Sequence, residues 1–217
     1  MDTRSIEDLI KGRRSIRKWA KKEVPDDLLK KGVELGTWAP NGGNYQVWYF
    51  YIIKNRDIIE RMAKEVQRVA DKIVSWQEAK AFEGEMVRSR QSNATLWREA
   101  PAVIAVLTYQ YVSLMDTILI ARESFDLEAK RILSFRRSAP TGIQSAAAAV
   151  TTMLLVFHQM GLGAVWLGQP LLAKKEIEDI LEVSENMNLV CLVAVGYPNE
   201  SPQKDRRPLE QVMKFIG

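Results

Sequence analysis

The sequence predicts an α+β protein, and three observations carry that expectation. Short β-branched, aromatic and apolar runs at 47–54, 101–108, 164–167 and 189–195 read as strands. They are few, and the longer stretches between them carry apolar residues at helical spacing. No internal repeat of fixed period runs along the chain. The 217 residues are 47% hydrophobic and 27% charged, a globular balance that argues for one folded unit, 1–217, over disorder.

Residues 5–11 read as a first helix, with Ser5 as its cap, Ile6, Leu9 and Ile10 on one face, and Gly12 as its stop. Pro25, Asp26 and Asp27 open a second, with acids where the helix dipole favours them. Its apolar face uses Leu28, Leu29, Val33 and Leu35, and it ends at Trp38-Ala39-Pro40 before a Gly/Asn loop at 41–44. After the 47–54 strand, residues 55–99 read as helical, with a break near Gly84. The strand at 101–108 precedes a helix at 114–133. Residues 141–160 form the most apolar helix, whose Ala146 to Ala149 run allows close backbone approach. A strand at 164–167, a charged helix at 173–181 and a strand at 189–195 follow. Pro198, Pro202 and Pro208 make the tail an extended segment that need not fold back on its own core.

Composition excludes several chemistries. One cysteine, Cys191, permits no intramolecular disulfide, and one histidine, His158, leaves no Cys/His zinc set, so no metal is expected. The start of the chain has no secretory-signal shape, and the longest nearly apolar stretch, 145–157, is too short to span a bilayer. A cytoplasmic protein with no membrane partner is therefore expected. A net charge of +4 suits a local anion site better than nucleic acid, because the basic patches lack interleaved aromatics. Gly161-Leu162-Gly163 ends a helix where a dinucleotide fingerprint would open one. Gly142-Ile143-Gln144-Ser145-Ala146 has the wrong spacing for a nucleophile elbow. His158 reads as a helix C-terminal histidine and Cys191 as an inert core thiol.

Three clusters remain. Arg13-Arg14-Ser15-Ile16-Arg17 offers three guanidiniums and a hydroxyl that match phosphate oxygens, or else forms a solvated basic turn. Residues 40–48 (PNGGNYQVW) permit close backbone approach, with Asn44 and Gln46 able to meet a heterocycle edge, or else make a plain turn. Asp205-Arg206-Arg207-Pro208-Leu209 is a second basic patch, or a loose tail. With few nucleophiles or bases present, chemistry would fall to a cofactor, and no catalytic side chain is assigned.

Taken in order, these segments resemble the FMN-dependent nitroreductase family. The resemblance rests on Arg13-Arg14-Ser15-Ile16-Arg17, on Trp38-Ala39-Pro40-Asn41-Gly42-Gly43-Asn44-Tyr45-Gln46-Val47-Trp48, on Gly161-Leu162-Gly163-Ala164-Val165-Trp166-Leu167-Gly168, and on Val195-Gly196-Tyr197-Pro198 with Arg206-Arg207-Pro208-Leu209-Glu210. Val47 and Asn41 depart from the family's usual Pro and Ser. The resemblance implies a three-layer fold: a mostly antiparallel central sheet flanked by helices, with a C-terminal arm exchanged in a homodimer. A variable helical region at about 65–135 would lie near the active site. FMN would sit at the subunit interface, its phosphate on Arg13, Ser15 and Arg206 with Arg207 as helper. Arg17 would approach the ring near N1 and O2, Asn44 the ring's polar edge, and the backbone of Leu167 and Gly168 would face N5. Arg14, Gln144 and Trp166 complete the cofactor-binding set that the resemblance implies.

The same resemblance implies a ping-pong cycle. NADH or NADPH would donate hydride to FMN, and a nitroaromatic, quinone or other small electron-poor acceptor would then be reduced. The alternatives on this scaffold are reductive dehalogenation, flavin handling and non-catalytic FMN binding.

Overall fold

The computed structural model describes residues 3–217; residues 1 and 2 of the expected 1–217 unit lie outside the described residues. In chain order the elements are α1 (Thr3–Gly12), α2 (Asp26–Gly36), β1 (Trp48–Ile53), α3 (Arg56–Ser75), α4 (Gly84–Ser92) and β2 (Ala102–Tyr109). They continue with α5 (Leu114–Arg122), α6 (Leu127–Ser138), α7 (Thr141–Gln159), β3 (Gly163–Leu167), α8 (Lys174–Ile180) and β4 (Met187–Gly196). The four strands form one antiparallel sheet in the order β1-β2-β4-β3.

The sheet is the middle of three layers. Val103, Ala105 and Leu107 of β2 face a core built with Ile59, Met62 and Val66 of α3 and Ile177 of α8. Ala102, Ile104 and Val106 face the opposite core, with Leu29 of α2 and Val150, Met153 and Phe157 of α7. Alternation along a strand sends successive side chains to opposite faces, so a strand buried on both sides reads as an unbroken apolar run. The antiparallel sheet between helical layers matches the expected architecture.

Four expectations need correction. Ser5 is inside α1, which begins at Thr3, so it does not cap that helix. The expected helix at 114–133 is two. Asp126 accepts the N–H groups of Glu128 and Ala129 and starts α6, while Ser113 and Asp116 form a capping box at the start of α5. The helical region 55–99 breaks first at Trp76, not only near Gly84, and most of its second half is 3₁₀ turns around α4. The tail does fold back at its start, because residues 197–199 pair with residues 18–20 before the chain runs out into solvent.

The α2–α7 contact is closer than its leucine pattern suggests. The residues that α2 buries are Leu29, Gly32 and Gly36. A Cβ on Gly32 would lie 2.1 Å from Phe157 Cε1, and one on Gly36 would lie 2.3 Å from Met153 Cγ. Two missing side chains therefore set the distance between the helices. Residues Leu127–Gln159 include a stretch long and apolar enough to cross a membrane. In this fold Pro140 divides that run into α6 and α7, and α7 is a core helix.

Candidate functional site: a cationic strap at the sheet edge

Strand β3 is an edge strand, and the chain covers it with its own N-terminal segment. The N–H of Ile16 donates to the carbonyl of Ala164 (3.2 Å), and Ser15 bridges Ala164 in parallel. The indole N–H of Trp19 donates to the carbonyl of Gly163 (2.9 Å). Glycines make room for this strap: a Cβ on Gly163 would lie 2.7 Å from Ile16 Cγ1, and one on Gly196 2.6 Å from Trp19 Cδ1. The strap's other side is closed by the tail. Ala20 N–H donates to the Tyr197 carbonyl (2.9 Å) and Asn199 N–H to the Lys18 carbonyl (2.9 Å). Lys22 lies 4.0 Å from the Tyr197 ring centroid.

Cations gather along this strap. A cavity of about 250 Å³ is lined by Arg13 and Arg14, by His158 from the last turn of α7, and by Glu200 from the tail. Arg13 Nη1 and Arg14 Nε are buried without a hydrogen-bond partner. Among the described residues none of Arg13, Arg14, Arg17, Arg206 or Arg207 forms an ion pair. Burial, then the nearby Arg206 and Arg14 guanidiniums, hold the Arg13 pKa below its ordinary value. A buried donor left unpaired is costly, and guanidiniums set beside one another repel. A doubly charged oxyanion removes both penalties, so this donor set fits a phosphate monoester.

The structure thus brings Arg13 and Arg14 together on one cavity wall, with Ser15 bridging to β3, while Arg206 is exposed on the arm and its charge reaches Arg13. Arg17 follows on the same strap, its guanidinium donating to the Ser15 carbonyl (3.2 Å). Trp166, Leu167 and Gly168 lie at the far end of β3, where Trp166 is exposed. Arg207 is exposed on the arm.

Asn44 and Gln144 lie elsewhere. The loop at 41–46 docks at the other end of α7, where the Gly42 N–H donates to Ser145 Oγ (3.3 Å). Asn41 Oδ1 accepts the Gln46 N–H (3.0 Å) across three positive-φ residues, Gly43, Asn44 and Gln46. Tyr45 meets Tyr111 edge-on at 5.2 Å. Gln144 donates its amide to the Ala139 carbonyl (2.8 Å). From Ser145 to His158, α7 rises about 20 Å at 1.5 Å per residue. Among the described residues no hydrogen bond joins the loop to the cationic strap.

A larger cavity of about 480 Å³ opens beside the loop, between the end of β2, the α5–α6 pair and the start of α7. Asp116 and Arg136, an ion pair, line it with Tyr111 and Lys174. Sequence reasoning missed His158 and Glu200 as members of the cationic pocket. The signals were slight: the chain's one histidine just before Gly161, and an acid two residues after Pro198.

Comparison with known proteins agrees with this architecture. Residues 10–197 match the model of the Nitroreductase family, and the chain belongs to that family. A Methanothermobacter thermautotrophicus protein, provisionally named NADH dehydrogenase/NAD(P)H nitroreductase, is 27% identical over 197 residues, spanning 90% of this chain and 78% of its own. A BluB-like flavoprotein from Clostridium difficile 630 has a similar solved structure, with TM-score 0.83 and 26% identity over 100% of each chain. The fold is also that of an iodotyrosine deiodinase solved with FMN and 3-iodo-L-tyrosine, at TM-score 0.68 and 21% identity over 94% of this chain and 95% of that one.

Proposed function

We propose that this protein is an FMN-dependent oxidoreductase that works as a homodimer in the cytoplasm, taking electrons from NADH or NADPH. One observation carries the reading: Arg13 and Arg14 hold buried, unpaired guanidinium nitrogens on one cavity. Arg13, Ser15 and Arg206 would hold the flavin phosphate, with Arg14 and Arg207 adding charge. Arg17 would set a cation at the ring edge that becomes negative on reduction. When bound, FMN supplies two-electron hydride transfer. The chain's own residues bind it, orient it and balance its charge.

Three features support a homodimer. The Asn44 loop and the cationic strap sit at opposite ends of α7, so a second copy can present its loop to the first copy's strap. The arm at 203–217 also has no place in its own core: Phe215 is 87% and Ile216 89% exposed. Exposed apolar residues on α5 and α6, such as Leu114, Ile118 and Phe135, add surface for the same contact. The acceptor would be a nitroaromatic, a quinone or a similar small electron-poor molecule.

The visible spectrum of the purified protein, followed by anaerobic NADH or NADPH, tests this. A yellow protein bleached by either nicotinamide supports the reading. A yellow protein bleached only by dithionite, which then deiodinates 3-iodo-L-tyrosine, moves the assignment to reductive dehalogenation. A colourless protein that takes up no added FMN overturns it.

A further inference from the structure

We infer that His158 is part of the phosphate pocket, where its imidazole forms the wall against which Arg13 and Arg14 are set, and that its protonation is coupled to occupation by a phosphate monoester. This rests on the reading of the cationic strap as the phosphate end of a flavin site.

The placement of the ring follows from the end of α7. Leu162 N–H donates to the Phe157 carbonyl (2.8 Å) and Gly161 N–H to the His158 carbonyl (3.0 Å), with Gly161 at φ 75°. This is the paired 6→1 and 5→2 closure that needs a left-handed residue, and it holds the last turn of the helix in place. His158 lies within that turn. Its Nε2 would be 3.1 Å from a Cβ on Gly12, so the ring rests against the glycine that precedes Arg13. Gly12 thus has two functions: it ends α1, and it leaves the space the imidazole occupies. Gly12, Arg13, Arg14 and His158 then share one cavity wall, and the start of β3 and the tail at Pro198 and Glu200 contribute to the rest.

The charges around the ring are few. Arg13 and Arg14 face it from the strap and Glu200 from the tail, while Arg206 lies beyond, beside Arg13. On α1, Glu7 and Lys11 pair with each other in solvent, and on α2 Lys31 pairs with Glu34. Burial, then Arg13, then Arg14, hold the imidazole pKa below its ordinary value, so it is neutral at neutral pH. This outweighs the helix C-terminus, which favours a protonated histidine. A phosphate monoester brings a charge of about −1.5 to −2 and reverses the local field. The occupied pocket therefore binds a proton on His158 more tightly than the empty one. By linkage, phosphate-bearing ligand binds more tightly as pH falls through the range between the two imidazole pKa values.

His158 is the chain's only histidine, so its Cε1 proton gives a single titrating signal in proton NMR. That signal is followed in the full-length protein alone, with FMN, and with inorganic phosphate. The expected result is a midpoint about one unit higher with either ligand, and FMN affinity about twofold or more tighter at pH 6.5 than at pH 8. His158→Gln is expected to lose this pH slope. An unchanged midpoint in the FMN complex overturns the inference, as does a slope kept by His158→Gln. If wild-type protein takes up no FMN, the flavin reading fails, and the phosphate titration then decides: a raised midpoint sustains the pocket, and an unmoved one ends it.

Discussion

Glu200 accepts the backbone N–H of Arg17 at 2.5 Å through the same carboxylate oxygen that accepts the N–H of Lys18 at 3.1 Å. One tail residue thereby fixes two consecutive peptides of the cationic strap, without neutralising any of its guanidiniums. Hydrogen bonds to a charged group are worth about 1.5–3 kcal/mol each when well made. Glu200→Ala is therefore expected to loosen the strap and weaken FMN binding about tenfold, read by quenching of flavin fluorescence. Equal affinity in the variant would show that the tail does not position Arg17.

On the proposed reading, the cations would divide by what they recognise. Arg13→Ala is expected to cost about 100-fold in FMN affinity, because it removes a charge-assisted partner of the phosphate. Riboflavin, which lacks the phosphate, is expected to bind wild type and Arg13→Ala alike. Titration of both flavins against both proteins checks this, and equal losses for the two would place Arg13 at the ring.

Packing of α2 on α7 gives a stability prediction. Gly32→Ala drives a methyl into the Phe157 ring, which is fully buried and whose Cε1 lies only 2.1 Å from where the new Cβ would stand. Overpacking of this kind costs about 1–3 kcal/mol. A lowered midpoint in urea unfolding is expected, with Gly36→Ala behaving similarly against Met153.

Asp116 sets an acid limit on the α5–α6 pair. It accepts from Arg136 Nη2 (2.9 Å) and Ser113 Oγ (2.6 Å), and Arg136, the largest cause, holds its carboxyl well below the usual range. The folded pKa lies under the unfolded one, so this stabilisation is fully present above about pH 4 and fades as pH falls through the depressed value. Arg136 is 40% exposed, so solvent screens the pair and its contribution is modest. Asp116→Asn is expected to melt below wild type at pH 7, with the gap closing towards pH 2. A gap that widens in acid would contradict the assignment.

Cys191 is expected to be silent. Burial pushes its thiol up to about 12, so thiolate is scarce at pH 8. A thiol reagent such as DTNB should leave the folded protein unlabelled and react once the protein is unfolded in guanidinium chloride.

The strands were legible because β2 and β4 are buried on both faces, which leaves continuous apolar runs in the sequence. The α5–α6 division was not, because Asp126 starts a new helix among residues already at helical spacing. The glycine stripe of α2 was hidden for another reason: a pattern read from large apolar side chains does not register a contact made by their absence. At the site, Arg13 and Arg14 stood out in the sequence by residue type, and the structure sets both on one cavity wall. Asn44 and Arg13 lie toward opposite ends of α7, a separation that no local pattern in the sequence records. His158 and Glu200 escaped notice because each meets the strap only through a distant stretch of chain.

The bond from Glu200 to Arg17 spans 183 positions of sequence. On the ribosome, the strap is therefore made long before its fastening. Closing so long a loop is slow and depends on the sheet already being formed. A nascent or truncated chain thus carries its arginines without the pocket that organises them. Any ligand of that pocket can be taken up only late in the life of the polypeptide, and termination before Glu200 yields a product without the fastening.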